Sequence, residues 1–340
     1  MKSDASMRST RLWRLGGAAV GWAFLLPPSV FLLAVTAGVA AAQDYPSRPV
    51  RVIVSTAAGS TPDVTARLVA PAMSRLLGQQ LVLDNRGGAG GLIAAELVAN
   101  SVPDGYTLFV ASPGSLTILP HMRKVPYDTI RDFAPIGLIS IGPFLLITHP
   151  AVPAKSVKEL IALAKARPGA MSYASAGNGV ANHLAMELFK QMTGVNIVHV
   201  PYKAAPQAVT DVLAGNIQMM FNSIAPVLPH VKSERVRALG IASPKRSPQL
   251  PDVPAIAETV PGYESENWFG MFAPAKTPKP IIASVSDALA KAVRSPEIKA
   301  QFEALGADPV GSSPGEFAAF VRRDMERWAR VVKISGAKID

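Results

Sequence analysis

Residues 54–67, VSTAAGSTPDVTAR, pass from a β-branched run through small and hydroxyl residues into a helical pattern. Thr56, Gly59, Ser60 and Asp63 fall at this handover. Two readings fit these residue types. One is a tight turn with a helix cap. The other is a cradle for an anion, in which backbone N–H groups and hydroxyls at a helix N-terminus face negative charge. Similar residue types recur at four further points. They are Ser112 and Ser115 in 111–115, Ser175, Gly177 and Asn178 in 174–179, Tyr202 and Lys203 in 201–205, and Asn222 and Ser223 in 221–224. Each stretch follows a strand-like run, and in open parallel sheets ligands bind beyond the carboxyl ends of the strands. Together the loops imply a cleft for one small polar molecule.

Catalytic equipment is scarce in the same stretches. His121, His149, His183, His199 and His230 lack i,i+4 ligand spacing, so no metal site is expected. His183 opens HLAMELF beside 174–179, where a place in the cleft and a structural role both fit. There is no G-x-S-x-G elbow and no phosphate-binding G-x-x-x-x-G-K-[ST], and GNG (177–179) lacks the third glycine of a dinucleotide fingerprint. Asp63 is the one acid in these loops, and the helix dipole alone favours an acid in a first turn. No acid, base and nucleophile assemble, so neither an enzyme nor a cofactor is expected. Nucleic acid is not an expected partner either. Aromatics make up 6% of the chain, too few for a stacking platform, and the densest basic cluster, VRRDMERWARVVK (321–333), interleaves acids as a solvated helix face does.

The elements that must position these loops alternate. PVRVIVS reads as a strand, followed by a helix whose Val64, Leu68, Ala72 and Leu76 step by four, with a kink expected at Pro71. Strand QLVLDN, loop RGGAGG, helix LIAAELVANS and strand YTLFVAS follow. After the apolar segment 133–150, helices at 155–166, 180–193 and 205–214 alternate with strands MSYAS, NIVHV, IQMMFNS and VRALGIA. The Pro-rich stretch 243–267 should cover the surface, and WFGMFAPA should be a buried strand. Helical segments near 279–293, 296–305 and 314–335 end the chain, with Ser295 and the Ser313/Glu316 pair as caps. The expected fold class is α/β: a bilobal clamp of two parallel-rich sheets covered by helices. Lobe 1 would comprise 43–144 plus 264–340. Lobe 2, 145–263, would be inserted, with 136–147 and 268–273 as the crossing strands.

The first 42 residues read as a secretory signal peptide. Lys2, Arg8, Arg11 and Arg14 precede an apolar run, and Ala40-Ala41-Ala42 marks a cut before Gln43. Pro27 and Pro28 weigh against a membrane anchor in that run. The chain has no cysteine, which excludes disulfides, thiol catalysis and a lipidated cysteine. Its formal charge is +10; without the leader, 30 basic residues face 23 acidic ones. Such a field helps gather small anions.

Five ordered motifs carry a family resemblance: DNRGGAGG (84–91), VPDGYTLFVA (102–111), HVPYKAAPQAVTDVLAGNIQMMFNS (199–223), RSPQLPDVPAIAE (246–258) and FAPAKTPKP (272–280). From Tyr45 onward the chain resembles the Bug (TctC-type) periplasmic solute-binding proteins of tripartite tricarboxylate transport systems. The resemblance implies a two-lobed, monomeric, periplasmic-binding-protein-like receptor. It would hold a small organic carboxylate through backbone amides and hydroxyls and deliver it to membrane permease subunits. A periplasmic sensor and a hydrolase on the same scaffold are the alternatives. Some positions depart from the family pattern. Ser60 stands for a second glycine, Thr56 for an aromatic, Ala204 for a glycine and Asn222 for a common Asp. Loss of that Asp favours a plain carboxylate over an amino acid.

Overall fold

The computed structural model describes residues 45–335; the leader expected at 1–42 lies outside them. The first three strands are β1 (Val50–Val54), β2 (Leu81–Asn85) and β3 (Thr107–Ala111), separated by helices α1 (Thr61–Leu77) and α2 (Leu92–Ala99). They pair in parallel in the order β2-β1-β3, and register places Val54 opposite both Asn85 and Val110. Three chain exits therefore leave from one edge. A one-turn helix, α3 (Leu119–Met122), follows a π-helical turn at Gly114–Ile118.

The next strand, β4 (Phe133–Thr148), is sixteen residues long and links the two sets of strands. Its first part pairs with β9 (Glu266–Pro274) and its last part, Phe144–Thr148, with β7 (Met219–Ser223). Between β4 and β9 the chain builds α4 (Val157–Ala166), β5 (Ser172–Ser175), α5 (Ala181–Thr193), β6 (Val198–Pro201), α6 (Ala205–Leu213), then β7, α7 (Ile224–Lys232) and β8 (Arg237–Ile241). Here β7-β5-β6 run parallel, and their carboxyl ends share an edge as well. After β9 come α8 (Lys279–Arg294), α9 (Pro296–Ala304), the two-residue β10 (Asp308–Pro309) and α10 (Pro314–Ser335). The parallel strands read as apolar runs because helices cover both faces: β7 is buried throughout, and β3 from its second residue on.

Four sequence expectations need correction. Among the described residues, β4 alone joins the two sets of strands, and β9 pairs with β3 and β4 only. The 268–273 run is apolar because it lies between β3 and β4, buried on both faces, not because it crosses. The buried stripe of α1 is Ala66, Val69, Ala70, Ala72 and Met73, so of the expected row Ala72 is buried while Leu76 is 51% exposed. A step of four overshoots a 3.6-residue turn, so the Val64 row drifts off the core face. The helix also runs unbroken through Pro71. The 243–267 stretch does more than cover the surface, since it sends Leu250, Ile256, Val260 and Tyr263 into the interior.

One buried network fixes α10 to the rest. Asp324 Oδ2 accepts from Trp268 Nε1 of β9 at 2.6 Å and from Thr117 Oγ1 of the π-helical turn at 2.7 Å. Burial pushes the Asp324 carboxyl up from its ordinary range, although Thr117 and Trp268 oppose that shift. The turn after β3 is pinned further by Thr129 Oγ1, which donates to Leu116 O at 2.6 Å.

Candidate functional site

The exits of β1, β2, β3, β5, β6 and β7 converge on a cavity of 970 Å³. That size holds a ligand of metabolite scale with room for water. Small residues make the approach close. Gly91, at the start of α2, has φ +92°, and a Cβ there would stand 2.7 Å from the Cβ of Ser115.

The walls hold unmet hydrogen-bonding capacity. Ser55, Thr56, Asn222 and Asn267 line the cavity, and their shielded Oγ, Oγ1, Nδ2 and Oδ1 atoms have no hydrogen-bond partner among the described residues. Such groups are costly unless a ligand or water meets them. The backbone adds more. The residues preceding α1, α2, α5, α6 and α7 are Ser60, Gly91, Val180, Ala204 and Ser223, and all five line the cavity. None gives its helix a side-chain cap. Five helix N-termini without side-chain caps thus bring positive dipole ends to one space, although at α2 the Leu92 N–H is already taken by Ala89 O.

The charged residues agree in sign. Among the described residues, no Asp or Glu lines the cavity, whereas Arg123 and Lys203 do. Among the described residues, neither of these side chains has a hydrogen-bond or ion-pair partner. Arg123, which follows α3, was not legible as a site residue, and neither were Asn85, Asn182, Gln207 and Asn267. The 87–91 glycines also line the cavity. Their position after β2 was the signal, by the same strand-end rule that marked the other loops.

Of the residues singled out by sequence, Thr56, Ser60, Ser112, Gly177, Asn178, Tyr202, Lys203, Asn222 and Ser223 line the cavity. Asp63, Ser115 and Ser175 are buried behind its wall, and Gly59 is exposed beside it. Asp63 is buried and accepts from the Gly59 N–H and from Arg67 Nε, both at 2.9 Å. Burial alone would raise its carboxyl, but the Arg67 and Gly59 hydrogen bonds hold it below the usual carboxylate range. Its work is to close the turn of the first loop. Ser115 Oγ donates to Ser112 O at 3.1 Å. Ser175 Oγ lies 2.6 Å from His199 Nε2 and binds the backbone of Gly177. Tyr202 lines the space with its body only, because its hydroxyl donates to Asp211 Oδ2 at 2.5 Å. Among the described residues, no group of three or more His, Cys, Asp or Glu could hold a metal ion.

The sequence profile of the tripartite tricarboxylate transporter family receptor, TctC, matches residues 65–337. The chain belongs to this receptor family. Among its relatives is the protein BugT of Bordetella pertussis, 38% identical over 310 residues, which span 89% of this chain and 95% of BugT. A solved R. palustris protein, Rpa4515 with adipate, superposes with a TM-score of 0.84 at 36% identity, covering 87% of this chain and all of the relative. MatC of Rhodopseudomonas palustris with bound malate gives 0.79 at 31% identity, covering 85% and all of it. The periplasmic binding protein BugD gives 0.83 at 34% identity, covering 86% of this chain and 99% of BugD, and the fold is shared with these relatives.

Proposed function

We propose that the chain is an extracytoplasmic receptor that captures a small organic carboxylate between two lobes and delivers it to a membrane permease. The observation that carries this reading is the convergence of five uncapped helix N-termini on a cavity whose only charged side chains are cationic. Backbone N–H groups at helix ends bind carboxylates without an acid–base apparatus. The adipate and malate held by the relatives belong to the same ligand class. The lobes correspond to 43–144 plus 264–340 and to 145–263. The receptor acts as a monomer in the periplasm after its leader is removed before Gln43, and it turns nothing over.

Native mass spectrometry of the freshly purified protein tests this reading, followed by calorimetry with whichever acid co-purifies and with adipate and malate. The expected result is one bound organic acid per chain, returned chemically unchanged. Conversion of the acid, or no binding by any carboxylate, would overturn it.

A further inference from the structure

Behind the cavity wall, three aromatic rings lie face to face. The Tyr173 and His199 centroids are 4.7 Å apart and the His199 and His183 centroids 4.1 Å, with interplanar angles of 18° and 13°. Both imidazoles are tied to the loop at 175–180, which joins β5 to α5 and lines the cavity. The Gly179 N–H donates to His183 Nδ1 at 3.2 Å. His199 Nε2 meets Ser175 Oγ, which in turn accepts from the Gly177 N–H at 3.2 Å. The remaining clamp is Asn182, which accepts from the Ala176 N–H at 3.3 Å and donates to Phe221 O of β7. Three loop donors within four residues, at Ala176, Gly177 and Gly179, therefore bond to side chains, not to a neighbouring strand. Gly177 and Gly179 hold φ of +133° and +76°.

We infer that His183 and His199 are positioning residues for the ligand loop of the inserted segment, and that His183, with His199 stacked on it, holds the loop only while its own ring is neutral. The argument is one of hydrogen-bond inventory. A neutral imidazole offers Nδ1 as an acceptor, whereas an imidazolium has two donors and no acceptor. Protonated, His183 would face the Gly179 N–H donor to donor, and a charged His199 would stack on it at 4.1 Å.

The surroundings favour the neutral pair. The titratable neighbours are Tyr173 on β5 and Glu187 and Lys190 on α5. Glu187 is already engaged by the Tyr173 hydroxyl and by Lys190 Nζ, at 2.6 and 2.7 Å. On α10, packed against α5, the buried side chains in this core are the apolar Trp328 and Val331. Tyr263 spends its hydroxyl on Ala185 O. Burial, with Lys190 adding to it, pulls His183 down to about 4. Burial, His183 and Lys190 pull His199 down to about 3 against the opposing Glu187. An unfolded histidine titrates near 6.5. The stabilising contribution is thus fully present above about pH 6.5 and is lost as pH falls toward the folded values.

The inference rests on the receptor reading only for its affinity arm, so amide hydrogen exchange is measured beside adipate calorimetry. His183→Leu removes the acceptor, while His183→Asn keeps an acceptor atom at the Nδ1 position and His199→Gln keeps a polar atom at the Nε2 position. His183→Leu should speed exchange of the Gly179 amide at least about tenfold and weaken adipate by a similar factor. His183→Asn should restore both to within about threefold, as expected when one hydrogen bond is lost and regained. The His183→Asn/His199→Gln double variant controls for titration of adipate itself. The wild-type protein should lose affinity relative to it as pH falls from about 6 to about 4. Should His183→Leu fail to fold, that pH comparison still decides. Unchanged Gly179 exchange in folded His183→Leu, or superimposable pH profiles for the wild type and the double variant, would overturn the inference. Absence of adipate binding to the wild type would count against the choice of ligand class, and Gly179 exchange would still judge the histidines.

Discussion

Two sets of helix N-termini in this molecule are built oppositely. On the outer surface, α4 begins at Ser156, whose Oγ accepts from the Glu159 N–H while Glu159 accepts from the Lys155 N–H. Likewise α9 is capped by Ser295, and α10 by the reciprocal Ser313/Glu316 pair. Around the cavity, α1, α2, α5, α6 and α7 start without side-chain caps. Serine is present at two of these starts, Ser60 and Ser223, and still makes no cap bond. Of the helices away from the cavity, α8 is the exception: it too lacks a side-chain cap, and like α1 and α6 it has proline at its second position, which removes one orphan donor. The difference teaches that donor groups are satisfied where only stability is at stake and left open where a ligand can satisfy them.

The largest expected effect comes from filling the closest approach. Gly91→Ala places a Cβ 2.7 Å from Ser115 and forces a side chain to φ +92°. It should destabilise the fold by about 3 kcal/mol and abolish binding, read by thermal melting and calorimetry. Next is a carboxylate supplied by the protein itself. Ala204 has the extended backbone of a good cap position, so Ala204→Asp should cap α6 and raise stability by about 1 kcal/mol. The same charge occupies the space of an anionic ligand, and affinity should fall at least about a hundredfold. Stability and binding moving in opposite directions is the signature of a cap withheld for function.

Much of this contrast was legible in the sequence. Ser313 followed by Glu316 is a local signal, and the structure bears it out. The small-residue loops after strands were visible for the same reason, since position after a strand and residue type both lie within a few residues. Long-range placement was not legible. Whether Asp63 faces the ligand or turns back to Gly59 and Arg67 depends on the fold of its own turn. Arg123 reaches the cavity only because the π-helical turn and α3 carry the chain back over it. The apolar run at 268–273 carries no mark that separates a central strand from a crossing one.

The smallest effects belong to the capped set. Ser156→Ala and Ser313→Ala should each lower stability by about 1 kcal/mol and leave ligand affinity unchanged. A change in affinity from either would blur the line between the two sets of helices.

The central claim is that the open N-termini and the two unpaired cations select negative charge. Its most direct test is thermal melting with adipate, malate and any co-purified acid, each beside its neutral amide of the same carbon skeleton. At a hundredfold excess over Kd, a ligand of the folded state adds about 2.7 kcal/mol and raises Tm by several degrees. The account predicts that shift for at least one acid, reduced by added salt, and none for its amide. An amide that stabilises as well as its acid would contradict it, because the cavity would then read shape without charge.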